Sequence, residues 1–307
     1  MTAQRIAYVT TDDAYLAADP DTDLVLVLPA LAAVGVEATP EIWHDPAVDW
    51  VQYDALVIRS PWDYAHRPDA FRAWLDARAA TTPVLNCAHT IRWNLDKRYL
   101  LDLEAHGVAI VPTVVASTLA EVRAAAETIG GRIVIKPNVG AGSLGAHITR
   151  ADDPKLDGYV AELLDAGKLV LVEPEIPEIT ADGERGLLFF DGEYSHTITK
   201  GRILGDDGGY HGGEYNEDIR PATPTDAEIQ LAAQCSRAIA AIATERGFAS
   251  AASTTPLYAR YDIVTGASGP MVIEAELFEP SYYVATAPGS LERVVDAMVR
   301  RLELVAR

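Results

Sequence analysis

Residues 271–280, MVIEAELFEP, put two glutamates where an apolar strand is expected. Val272 and Ile273 belong in a core, yet Glu274 and Glu276 follow at a spacing of two, with Glu279 just beyond. Side chains on a strand alternate faces, so Glu274 and Glu276 project to the same side. Two like charges held there repel and lose hydration, so a partner is expected between them. The preceding LYARYDIV sets Asp262 amid apolar residues, and the turn-rich TGASG leads back to the glutamates. A hairpin would bring Asp262 across from them. Three carboxylates with no histidine or cysteine form a hard oxygen site suited to Mg2+ or Mn2+. An exposed acidic edge strand is the ordinary reading of an isolated Glu-x-Glu, and retaining glycosidases also pair carboxylates. Asp262 and its apolar flanks favour metal. Mg2+ usually shares its shell with phosphate oxygens, so the acidic strand calls for a nucleotide.

The stretch KPNVGAGSLGAHI offers to hold one. Gly140, Gly142 and Gly145 match G-x-G-x-x-G. A dinucleotide fingerprint needs a helix directly after the loop. Here AHITR follows, a short β-branched run, so the loop joins two strands and that reading fails. A glycine loop between strands can still fold over phosphates and offer backbone N–H groups. Lys136, ending the strand before it, is placed to meet phosphate as a point charge. Taken alone, an ordinary hairpin turn with a solvated lysine fits equally well.

The elements that must position these residues can be read coarsely. RIAYV, VEATPEIW, YDALVIR and PVLNC alternate with helical patterns such as DAFRAWLDARAA, which indicates a parallel sheet with crossover helices. Pro29 leaves the segment before Gly35 open between a kinked helix and one that starts at the proline. NLDKRYLLDLEAHG reads as one amphipathic helix closed by Gly107, and STLAEVRAAAETIGG as another with a Thr118–Glu121 capping box. Beyond it, short strands joined by turns dominate, with single helices near 153–166, 225–246 and 289–304. An open α/β domain followed by an α+β unit is expected, with the break near residues 88–95.

The chain has 307 residues, about half of them apolar, and a formal net charge of −20. That charge argues against nucleic acid or an anionic membrane as partner. A polyanionic ligand would need a local cluster of cations. Cys87 and Cys235 are isolated and read as reduced thiols, and no basic-then-apolar segment precedes the first strand. The longest apolar run is too short to span a bilayer and contains Pro29. A cytoplasmic protein is expected. A homodimer is compatible with the sequence.

In order along the chain, NCAHTIRWNLDKRYLLDLEAHGVAIVPT, RIVIKPNVGAGSLG, LVLVEPEI, ITADGERGLLFFDGE, ARYDIV and VIEAELFEPS resemble the ATP-grasp superfamily. Within it they are similar to the glutathione synthetase and D-alanine–D-alanine ligase types. Each motif alone is weak; six in order are strong. The resemblance implies an ATP-grasp fold: an N-terminal open parallel-sheet domain (1–90), a central subdomain with a glycine lid (91–177) and a C-terminal subdomain with the metal site (178–307). The nucleotide would lie between the last two. It implies that Lys97 and Lys136 bind ATP, that Gly140, Gly142, Ser143 and Gly145 form the phosphate lid, and that Glu173, Glu175 and Ile176 belong to the adenine hinge. Pro174 removes one N–H from that hinge. Arg185, Lys200 and Arg260 match cations near the transferred phosphate and the anionic intermediate. Asp262, Glu274 and Glu276 match the metal ligands, with Glu276 where relatives commonly carry Asn. Five cations would then converge on one cleft. The implied chemistry is ATP-dependent activation of a carboxylate to an acyl phosphate that an amine captures.

The substrate is expected at the C-terminal ends of the first sheet's strands. Arg59 could take a carboxylate there, and Asp12 or Asp13 an amino group; Ser281 and Tyr282 follow the metal strand. Helix capping by the aspartates and packing by Trp62 and Tyr64 are equally ordinary readings. DDAYLAADPDTD and RSPWDY resemble the cyclo-ligase branch that closes O-ureido-D-serine into a ring. A glutathione-synthetase-like peptide ligase and a non-catalytic nucleotide sensor are the alternatives. The sensor is disfavoured because both lysines and all three acids are kept. A protein kinase is disfavoured because no H-R-D or D-F-G stretch is present.

Overall fold

The structure is a computed structural model that describes residues 4–18, 20–142, 144–177, 183–201, 219–248 and 254–305. Ala55–Ser60 (β3) is buried along its whole length, as a strand covered on both faces must be. It lies between Gln4–Thr10 (β1) and Val84–Leu85 (β4), with Val36–Ile42 (β2) beyond β1, all parallel. Leu24–Ala33 (α2), which follows the short Asp13–Ala18 (α1), runs through Pro29 and packs Val27 and Leu31 on one face. Pro68–Ala79 (α3) packs Phe71 and Leu75 on the other. Each such fully buried Leu or Phe contributes roughly 1.5–3 kcal/mol of burial.

A second sheet, antiparallel in the order β5-β8-β6-β7, comprises Val114–Ala116, Val170–Pro174, Arg132–Pro137 and His147–Arg150. Leu119–Ile129 (α6) and Leu156–Asp165 (α7) back it. Thr118 caps α6 in a reciprocal pair with Glu121, as its sequence predicts. The glycine loop joins β6 to β7, two antiparallel neighbours, so no helix follows it.

The third sheet has the order β11-β10-β9-β12-β13: Ile219–Ala222, Glu193–Lys200, Glu184–Phe190, Tyr258–Gly266 and Gly269–Glu276. Asp226–Glu245 (α8) packs Leu231, Cys235 and Ile239 on one face, against Leu187, Tyr261 and Ile263. β13 is an edge strand, but its edge is not open. Val272 exchanges backbone bonds with Ala109 and Val111, Ala275 N donates to Tyr99 Oη at 2.7 Å, and the Asn94 amide bridges Ala275 and Leu277. Its acids therefore do not sit on a free, solvated edge.

One expectation changes. The single helix expected over NLDKRYLLDLEAHG is two: Ala88–Asn94 (α4) and Tyr99–Ala105 (α5). The break between them lets Lys97 N donate to Asn138 O at 2.7 Å, which ties the segment to the glycine loop. Ser290–Val305 (α9) returns to the first sheet, burying Val294, Met298 and Leu302 in one cluster with Ile6, Tyr8, Val27 and Tyr258.

Candidate active site

Strand alternation and register assemble the site on the sheet face opposite α8. Asp262 pairs with Glu274 and Arg260 with Glu276 across β12 and β13, with a bulge just after Asp262. On β9, Gly186 lies opposite Asp262 and Ile198, and Glu184 lies opposite Lys200. A Cβ on Gly186 would meet Arg260 Cδ at 3.0 Å and Asp262 Oδ1 at 3.1 Å, so glycine leaves room for those two side chains. Arg260 Nε donates to Asp262 Oδ1 at 2.8 Å, and its Nη2 reaches both Asp262 Oδ2 and Glu276. Lys200 Nζ bridges Glu184 at 2.9 Å and Asp262 at 2.6 Å.

The two lysines approach from the other side. Lys97 Nζ donates to Glu274 Oε1 at 2.5 Å and to Gly140 O at 2.9 Å, joining the acidic strand to the glycine loop. Lys136 Nζ lies 2.9 Å from buried Glu173, which also accepts from Thr113. Gly142 and Gly145 have φ of +58° and +75°, a region that L side chains avoid, and a Cβ on Gly145 would press Leu163 at 3.1 Å. Ser143 lies outside the described residues. In the hinge, Glu175 N donates to Arg132 O and its carboxylate pairs with Arg132, so its N–H is already used. Ile176 beside it is half-buried.

These groups polarise one another. Burial alone would pull the Lys97 ammonium down, but Glu274 outweighs it and holds the pKa above the ordinary lysine value. Asp262 is likewise held well below the carboxylate range: burial opposes ionisation, and Arg260 and Lys200 more than offset it. Glu276 goes the other way. Burial lifts it to about 7 against the pull of Arg260, and Asp262 and Glu274 crowd it further. Burial and Glu276 push Glu279 up to about 8. The all-oxygen donor set and this crowding fit a hard divalent cation, which would relieve the repulsion. As placed, each of Asp262, Glu274 and Glu276 is turned to a lysine or arginine. No three acidic, histidine or cysteine groups among the described residues close around one point as a metal site.

Some sequence expectations land elsewhere. Arg185 is on the α8 face of β9, where it donates to Thr223 O at 3.0 Å and Glu228 at 3.2 Å. It is one residue out of phase with Glu184 and Gly186, so it leaves the face that carries Arg260 and Lys200. Arg59 is fully buried, bound to Asp21 at 2.9 Å and Asp23 at 2.7 Å and lying 4.2 Å over the Tyr282 ring. Its guanidinium is engaged inside the scaffold by these two aspartates and by Pro280 O. Tyr282 is equally buried, and Asp23 fixes the backbone N–H groups of Tyr282, Tyr283 and Val284. Asp12 caps α1 by accepting from Tyr15 N at 2.9 Å, and its other oxygen lies 3.6 Å from His44. Asp13 opens α1; its side chain lies outside the described residues. Ser281 is half-buried. Sequence reasoning gave Tyr64 and Trp62 only a packing role; the Tyr64 hydroxyl donates to Glu279, and Trp62 Nε1 donates to Glu279 O at 3.1 Å. The only signal was the closeness of Glu279 to the acidic pair.

Residues 6–86 match a domain family described as the N-terminal domain of D-cycloserine synthetase DcsG. The chain is 37% identical over 292 residues to the cycloserine biosynthesis protein DcsG of Streptomyces lavendulae, covering 92% of this chain and 95% of that one. A solved D-cycloserine synthetase superposes with a TM-score of 0.86 at 34% identity, over 97% of this chain and 99% of that one. The ATP complex of D-alanine–D-alanine ligase from Bacillus anthracis gives a TM-score of 0.65 at 15% identity over 100% and 98%, a likeness of fold.

Proposed function

The chain belongs to the family of the Streptomyces lavendulae cycloserine biosynthesis protein, and on that premise we propose that it cyclises O-ureido-D-serine to D-cycloserine with ATP. It is an ATP-dependent ligase of ATP-grasp fold. The observation that carries the proposal is the single sheet face on which Asp262, Glu274, Glu276, Arg260 and Lys200 meet Lys97 and the glycine loop.

In this reading Lys97 and Lys136 take the ATP phosphates, and the loop that Lys97 already touches covers them. Asp262, Glu274 and Glu276 would hold a divalent cation, which when bound neutralises charge on the transferring phosphoryl group. Glu274 and Glu276 would then release Lys97 and Arg260 toward anionic oxygens. The substrate carboxylate attacks the γ-phosphorus, giving an acyl phosphate and ADP. The nitrogen beside the ureido oxygen attacks the acyl carbon, phosphate leaves, and a five-membered ring closes. Hydrolytic loss of the carbamoyl group releases CO2 and ammonia. Arg260, 4% exposed, stabilises the oxyanion as it forms. Because both reacting ends belong to one molecule, no second-substrate pocket is required, and well-oriented proximity supplies up to about 7–11 kcal/mol.

No helix among the described residues is long and apolar enough to cross a membrane, and we place the reaction in the cytoplasm, where ATP is held. The test is incubation with ATP, Mg2+ and each enantiomer of O-ureidoserine, followed by mass spectrometry. D-Cycloserine from the D form with equal ADP is the expected result. ADP that appears only when a separate amine is added would replace cyclisation with peptide-type ligation.

A further inference from the structure

Around the reaction centre, the buried and half-buried carboxylates are provided with cations. Glu173 has Lys136, Glu274 has Lys97, Glu184 shares Lys200 with Asp262, and Glu276 shares Arg260 with Asp262. Glu279 has no such partner among the described residues, although it is only 9% exposed. One of its oxygens accepts from Tyr64; the other accepts nothing from the described residues. A carboxylate left this way is costly, because burial strips its water and no opposite charge replaces it. The position is nonetheless held firmly. Trp62 Nε1 donates to Glu279 O at 3.1 Å, and Arg59 donates to Pro280 O, so the first sheet clamps this turn on both sides.

Glu276, Lys97 and Glu274 are all within electrostatic reach of Glu279. A substrate carboxylate brought to that centre for phosphorylation carries its α-amino group two bonds away. We propose that Glu279 is the ammonium-recognition residue, taking the cationic α-amino group of the substrate on the oxygen that Tyr64 leaves free. The assignment rests on the reading of an amino-acid-like substrate given above. It also places amino recognition on the turn after β13, whereas Asp12 already spends one oxygen on its helix cap. An acid lacking the amino group would leave Glu279 buried and unpaired, so the site selects against it.

The experiment compares KM for O-ureido-D-serine and for its des-amino analogue, 3-(ureidooxy)propanoic acid, in the unaltered chain and in Glu279→Gln, by ADP release. Glutamine keeps the size and the acceptor for Tyr64 and removes the charge. The expected result is a KM increase of about 10- to 100-fold for the amino acid in Glu279→Gln and less than about threefold for the des-amino acid. Thermal unfolding of both proteins shows whether the variant folds. Equal changes with both acids, or none with either, overturn the assignment and leave Glu279 an anchor of the turn. Should the variant fail to fold, the unaltered chain decides: equal KM for the two acids overturns the proposal, and strong preference for the amino acid supports it. Failure of the unaltered chain to use O-ureido-D-serine rejects the cyclisation reading instead. The same pairwise comparison then runs on whichever amino acid releases ADP.

Discussion

Glu276 is the carboxylate whose ionised form this sheet supports poorly: burial lifts it to about 7, while Arg260 is shared with Asp262. Glu276→Gln keeps the volume and an acceptor for Arg260 but removes the charge a divalent cation would need. We expect kcat/KM for ADP release to fall by about 100- to 1,000-fold, the usual loss when an electrostatic contact to the transition state is removed. The unfolding midpoint should stay level or rise, since a poorly supported charge is gone. Full activity in that variant, or in excess chelator, sinks the metal assignment. Arg260 entered only through the family resemblance, whereas Asp262, Glu274 and Glu276 were legible in the sequence because alternation along two adjacent strands fixes their common face. Glu279 was not, because its partner Tyr64 stands 215 residues away.

For the elements, phase was the limit. The strands around Glu184–Phe190 were legible as strands, but the side of the sheet that each residue faces depends on a register no local pattern encodes. Glu184 pairs with Lys200 and Gly186 with Asp262, which turns Arg185 toward α8 and its buried Glu228. Arg185→Ala should therefore leave kcat within about twofold and lower stability by about 1 kcal/mol, the worth of a partly exposed charged contact. Steady-state kinetics and denaturant unfolding check both. A large fall in kcat with stability intact would return Arg185 to the reaction. The same limit explains the break at Lys97. The helical pattern over NLDKRYLLDLEAHG is real, but Asn94 is drawn to β13 and Lys97 N to Asn138, long-range bonds that outweigh local helix propensity.

At the scale of the molecule, the first sheet and the last strands are one body, joined by polar links that sequence cannot reveal. Arg59 meets Asp21, Asp23 and Pro280, and Asn86 bonds Tyr258 and Leu277 across the same seam. Arg59→Met would leave two buried aspartates without their cation at a cost of about 3–5 kcal/mol, a large share of a domain's stability. A sharply lowered melting temperature is expected; a near-native one with only KM altered would restore Arg59 to the substrate. The buried and half-buried acids also give the whole molecule a pH signature. Burial raises Glu184 and Glu276 to about 7 and Glu279 to about 8, from an ordinary 4.5. Across that window the folded chain binds more protons than the unfolded chain, so stability falls as pH rises. Asp262 and Glu274 are shifted down instead, so their contribution is present above the ordinary carboxylate range and lost only at lower pH. The two sets therefore act in different windows, and the net charge of −20 adds repulsion in the upper one. The urea midpoint of the ligand-free chain should fall between about pH 5 and about pH 8, by roughly 1–3 kcal/mol in stability. With Mg2+ and a non-hydrolysable ATP analogue, added cations offset the crowded acids and the slope should flatten. A midpoint that instead rises across that window would show that these carboxylates ionise freely, and the crowding on which the metal site rests would be absent.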